Sequence, residues 1–174
     1  SPAGGGLNLT NGGGRSDMQI SGVGSALQFT GDLTALQVGR RLGTASLAVL
    51  AGGSVTGPSY VSVGRDGSLG ELIIDGTGSL VSITGRGSAA ANGGIASNPN
   101  MEIGRNGTGV VTVRNGGRLE ILTSASAGNG PLLTLGRDAA SAGTLNITGS
   151  GSLVHLQALS TTPGGGATEA FNPF

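Results

Sequence analysis

The chain has 174 residues, of which 37 are glycine, with proline at an ordinary level and cysteine absent. Nine arginines balance nine acids and lysine is absent, so no net charge draws the chain to nucleic acid or an anionic membrane. Low charge with plentiful Val, Ile and Leu excludes a disordered chain, and the missing Gly-X-Y period excludes collagen. Only 2% of residues are aromatic, which leaves an aliphatic and thin core. No apolar run is long enough to span a bilayer, and the opening SPAGGG carries no signal-peptide pattern. A fragment of an exported protein, extracellular or at the cell surface, is the expectation.

Taken in chain order, the elements repeat. A degraded first copy opens at Leu7/Leu9 and runs through MQISGVGSALQF, Met18 to Phe29. The second copy has QVGR with Val38, the alternating pair Leu47/Val49, the turn AGGS and then Val55. The third has SVGR with Val63, then Leu72/Ile74, GTGS and Leu80. The fourth has EIGR with Ile103, then Val111/Val113, NGGR and Leu119; the fifth has TLGR with Leu135, then Leu145/Ile147, GSGS and Leu153. Copies start near residues 7, 36, 61, 101 and 133, and an insert loop over 84–100 absorbs most of the length variation. Pro58, Pro99 and Pro131 precede three copies, and Pro173 stands near a partial next coil at 171–174, so the chain reads as a truncated piece of a longer array.

Two or three apolar residues at period two describe a short strand with one buried face. A unit of about 25 residues cannot bury enough surface alone, but in-register stacking makes a continuous core. The glycines then serve as corners, where φ is often positive. Helix is excluded by the missing 3.6 period and by glycine at this density. The fold class is therefore all-β, a parallel β-helix (β-solenoid) of about five coils over a single domain, 1–174, right-handed by the crossover rule. In this scheme Val55, Leu80, Leu119 and Leu153 form the third inward column, and His155 shares their parity.

The unit hVGRxG…GxLxIxGxGS resembles the glycine-rich repeat of bacterial autotransporter passengers and PEP-CTERM-associated exported proteins, from about Leu7 to Leu156. The resemblance implies a right-handed β-helix at the bacterial cell exterior, within a long adhesin-like protein, and implies no catalytic residues.

Candidate chemistry is sparse. GRNGTG and GTGSL lack the Gly-Lys-Ser/Thr of a phosphate loop in a chain without lysine. NGGGRSDMQI approaches a calcium nonapeptide, but Arg15 replaces its last glycine. The corner set Arg41, Asp66, Asn106 and Asp138 reads as turn chemistry rather than a cation cage. His155 and Tyr60 fall on copies several rungs apart, which argues against catalysis, and no cofactor is implied. Two aligned polar columns remain. Arg40, Arg65, Arg105 and Arg137 would stack like charges, requiring solvent or acids such as Glu71, Asp75 and Glu102. Asn8, Gln37, Ser62, Glu102 and Thr134 form an outward stripe, expected to be a solvated face.

The function expected is a non-catalytic structural or adhesin-like segment, a passenger or stalk, capable of end-to-end self-association. The alternative is a carbohydrate-binding module of a multimodular polysaccharide-degrading enzyme. Its glycan would lie along Arg40, Arg65, Arg105 and Arg137, with Gln37, Ser62, Glu102 and Thr134 beside them, since guanidinium forks suit carboxylates.

Overall fold

The computed structural model describes residues 5–31, 34–84, 99–123 and 130–158. The expected insert, apart from its ends, and the partial coil at 171–174 lie outside them. The first coil contributes β1 (Gly6–Leu9), β2 (Arg15–Ser21) and β3 (Ala26–Gln28). The second contributes β4 (Ala35–Arg40), β5 (Thr44–Leu50) and β6 (Ser54–Thr56). The third has β7 (Tyr60–Arg65), β8 (Leu69–Asp75) and β9 (Leu80–Ile83); the fourth has β10 (Asn100–Arg105), β11 (Thr108–Arg114) and β12 (Arg118–Thr123). The fifth closes with β13 (Leu132–Leu135), β14 (Ala142–Thr148) and β15 (Leu153–Ala158).

Equivalent strands of successive coils pair in parallel, giving three five-stranded sheets in the orders β1-β4-β7-β10-β13, β2-β5-β8-β11-β14 and β3-β6-β9-β12-β15. This is the β-solenoid of about five coils that the repeat predicts. Asn100, placed by the sequence in the insert, is the first residue of β10 and pairs with Tyr60.

The expected columns stack residue on residue. Leu9, Val38, Val63, Ile103 and Leu135 align in the first sheet, and Ile20, Val49, Ile74, Val113 and Ile147 in the second. Their inner members are fully buried in one aliphatic cluster. Each such side chain contributes about 1.5–3 kcal/mol of transfer free energy.

The third column differs from the expectation by one residue. Val55 stacks on Val81, Val81 on Leu119 and Leu119 on Val154, whereas Leu80 and Leu153 pair with Ser54 and Arg118 on the outer side. His155 accordingly faces outward, beside Glu120 and Ser82 in register, rather than into the core.

Two corners explain where glycine is required. At the first, Gly64 has φ of 72°, and a Cβ there would overlap the carbonyl of Thr108 in the next coil. Gly109 of that coil lies so close that a Cβ would overlap the Val63 carbonyl. The corner between the second and third strands of a coil alternates. Coils two and four turn through Ala51-Gly52 and Asn115-Gly116, both pairs at positive φ, and coils three and five through Gly76-x-Gly78 and Gly149-x-Gly151. The serine after the second type stitches coils together. Ser79 Oγ donates to the Asp75 carbonyl at 2.7 Å and accepts from the Gly52 amide of the coil before at 3.1 Å. Ser152 repeats this with Thr148 at 2.6 Å and Gly116 at 3.2 Å.

Candidate functional site

The stacking register that builds the core also builds the strongest polar cluster, on the outer face of the first sheet. Parity points Tyr60 and Ser62 of β7, Asn100 and Glu102 of β10 and Gln37 of β4 away from the core. The register sets Gln37 beside Ser62 and Ser62 beside Glu102. Arg40, Arg65 and Arg105 align at the strand ends, and the Arg137 amide donates to the Gly104 carbonyl one rung on.

The arginines are bound into a chain that runs from the second coil to the fifth. Arg40 Nε and Arg65 Nε lie 3.6 and 3.3 Å from Asp66 Oδ2. The Arg65 guanidinium sits 5.9 Å from the Tyr60 ring centroid, and its Nη1 donates to the Tyr60 hydroxyl at 3.4 Å. That hydroxyl in turn donates to Glu102 Oε2. Glu102 also accepts from Arg105 Nη1 at 3.2 Å and from Arg137 Nη1 of the coil after it. Four guanidinium groups therefore surround two carboxylates and one phenol.

The expected stripe is correctly aligned but is not a solvated face. Asn8 is exposed and Thr134 half-buried, while Gln37, Ser62 and Glu102 are buried, Glu102 to 1% exposure. A period-two rule turns polar residues outward, and the rule holds, but facing outward does not leave these side chains in solvent. Gln37 Oε1, Ser62 Oγ and both amide atoms of Asn100 are buried in the patch with no hydrogen-bond partner among the described residues.

Of the acids expected to pair with the arginine column, only Glu102 does so. Asp75 is held instead by Arg114 Nε at 2.8 Å and Asn115 Nδ2 at 2.8 Å, bonds that lower its pKa. Glu71 lies on the outer face of the second sheet, in a groove of about 420 Å³ shared with Asp17, Ser46, Leu69 and Thr108. Asp17 there is tied to Arg15 and Ser46, and those bonds lower its pKa too.

Three members of the cluster were missed in the sequence. Tyr60 reads as an isolated tyrosine and Asn100 as loop, although both stand two residues before the stripe position. Asp66 reads only as a corner. It does have the left-handed φ of 55° that Arg41 (52°) and Asn106 (48°) share, which Asp138 does not.

Burial of Tyr60, with the Glu102 charge and the bond to it, pushes the phenol up to about 12 against the opposing pull of Arg65 and Arg105. At neutral pH this group is a hydrogen-bond donor and a poor base. Among the described residues no three His, Cys, Asp or Glu side chains converge where they could hold a metal ion.

No protein family, curated protein or solved structure matches this chain. The functional reading therefore rests on its own geometry.

Proposed function

We propose that this chain is a structural segment of a secreted or cell-surface protein, a stalk or passenger of the adhesin kind. One observation carries the reading: the richest polar cluster joins coils to one another instead of presenting free groups. Glu102 is taken up by Tyr60 of the coil before, Arg105 of its own coil and Arg137 of the coil after. Serine stitches at the corner between the second and third strands act in the same sense. Bonds between successive coils resist axial extension and bending, which is what a stalk needs. The resemblance to bacterial autotransporter passengers and PEP-CTERM-associated proteins agrees with an exterior location.

A second reading is favoured by the alignment of four guanidinium groups from successive coils. Such a column suits the carboxylates of an acidic polysaccharide along Arg40, Arg65, Arg105 and Arg137. Calorimetry against acidic and neutral polysaccharides separates the two. The structural reading expects no saturable binding. Saturable binding that is lost in Arg65→Gln or Arg105→Gln, with the circular dichroism of the variant unchanged, would establish the module instead.

A further inference from the structure

An asparagine followed by glycine can be attacked by its own main chain, because glycine carries no side chain to shield the attacking nitrogen. Two such pairs stand at corners of the fourth coil, Asn106-Gly107 between β10 and β11 and Asn115-Gly116 between β11 and β12. Both asparagines are exposed and both are left-handed, with φ of 48° and 54°. Their bonding differs. Asn115 Nδ2 donates to Asp75 Oδ1 at 2.8 Å, and the Gly116 amide donates to Ser152 Oγ at 3.2 Å. The Asn106 side chain and the Gly107 amide have no hydrogen-bond partner among the described residues.

The corner geometry accounts for the difference. Residues 66–68 link β7 to β8, whereas only 106 and 107 link β10 to β11. The Gly67 amide donates to the Asn106 carbonyl of the following coil. Gly107 has no such acceptor, because the fifth coil passes through a longer link, 136–141, whose Ser141 Oγ accepts from the Asn106 amide at 2.6 Å. Only glycine fits at 107, since a Cβ there would lie 2.9 Å from the carbonyl oxygens of Gly64 and Ser68.

We infer that Asn106 is a site of self-modification by deamidation, and that the aspartate it yields joins the arginine column. The Gly107 nitrogen attacks Asn106 Cγ and forms a new C–N bond. The Cγ–Nδ2 bond breaks, and ammonia leaves with the proton of the Gly107 amide. A five-membered succinimide remains. Water opens it at the side-chain carbonyl to give aspartate, or at the main-chain carbonyl to give isoaspartate. No oxidant, cofactor or second protein takes part.

The aspartate has a place prepared for it. Asp66 holds the same corner position one coil earlier, and its Oδ2 lies 3.6 Å from Arg40 Nε and 3.3 Å from Arg65 Nε. Arg65 and Arg105 are partners in register, so a carboxylate formed at position 106 meets that pair in the same way. It brings a negative charge to a column in which like charges are stacked. Isoaspartate has the opposite effect. It adds a main-chain atom to a link of two residues that is already pressed against the third coil, and so loosens the corner. Asn11, which also precedes glycine, stands two residues past Leu9 as Arg40 stands two past Val38, and so takes the arginine position instead.

The test is peptide mapping by mass spectrometry of the full chain, aged at pH 8 and 37 °C, folded and in denaturant. Trypsin cuts after each arginine and places the two pairs on separate peptides, 106–114 and 115–118. In the folded chain Asn106 should convert about tenfold faster than Asn115, which must first break the two bonds that hold it. In denaturant the two rates should agree. Ser152→Ala, which frees the Gly116 amide, should speed conversion of Asn115 and leave Asn106 unchanged. Equal rates in the folded chain, or an Asn106 that stays an amide while the denatured chain converts, would overturn the inference. Asn106→Asp should raise the thermal midpoint of the otherwise unchanged chain, and should raise it less beside Arg65→Gln. A midpoint that falls or stays put would overturn the pairing with the arginine column.

Discussion

The Tyr60 hydroxyl donates to the Glu102 carboxylate across two adjacent coils, from residues 42 apart in sequence. Tyr60 is the only tyrosine and the chain has no tryptophan, so its ionisation can be followed by absorbance without interference. Burial and the Glu102 charge push its pKa in the folded protein up to about 12, from the ordinary tyrosine value of 10.0. A raised value means that the unfolded chain loses its proton first. The contribution to stability is whole below pH 10 and declines by about 1.4 kcal/mol per pH unit from there to pH 12. Spectrophotometric titration should give a midpoint near 12 in buffer and near 10 in denaturant. A midpoint of 10 in the folded protein would remove Tyr60 from the cluster.

Glu102 is the hub of that cluster. Glu102→Gln keeps the volume but removes the charge that holds Arg105 and Arg137, leaving partly buried cations short of a counter-charge. The expected loss is about 3–5 kcal/mol in urea unfolding. Asp66→Asn touches a more exposed pair and should cost about 1 kcal/mol or less. Equal losses for the two would contradict the distinction drawn between them.

Two buried serines should respond in opposite directions. Ser79→Ala strands the Gly52 amide and the Asp75 carbonyl contact, for a loss of about 1–3 kcal/mol. Ser62 Oγ is buried without a hydrogen bond, so Ser62→Ala relieves an uncompensated polar group and should be neutral or stabilising by about 1 kcal/mol. Denaturation midpoints of the two variants decide the matter in one experiment.

The glycine corners separate conformational strain from collision. Gly24 has φ of 86° with nothing near a Cβ, so Gly24→Ala should cost only the left-handed penalty of about 1–2 kcal/mol. Gly64→Ala adds overlap with the Thr108 backbone and should cost more than about 3 kcal/mol. Similar thermal shifts for both variants would deny the close approach between coils.

The fold was legible because position after position repeats the same residue class, and Val38, Val63 and Ile103 need no structure to be aligned. The third strand shows where that legibility ends. In GSLVSI and GSLVHL two adjacent apolar residues satisfy either parity, so Leu80 and Val81 compete, and a one-residue slip turns the strand over. The second and fourth copies held the answer. Ser54 and Arg118, polar residues at the Leu80 position, show that it faces outward.

The arginine alignment was equally plain. The burial of Ser62 and Glu102 was not, because a strand pattern says which way a side chain faces and not how far it is buried. Asp66 was hidden for another reason: a corner aspartate before glycine looks the same whether its carboxylate caps a turn or meets Arg40 and Arg65.

The central claim is that five coils stack in register with a constant rise, whatever length of chain lies between them. Gln19, Ile73, Thr112 and Asn146 occupy one outer column of the second sheet. The chain has no cysteine, so spin labels can be placed at Gln19 paired in turn with each of the other three. Dipolar electron paramagnetic resonance should report backbone separations of about 10, 14 and 19 Å, two, three and four steps of about 4.8 Å. Separations that follow sequence distance instead, lengthening out of proportion between Ile73 and Thr112 where the insert intervenes, would contradict the stacked solenoid.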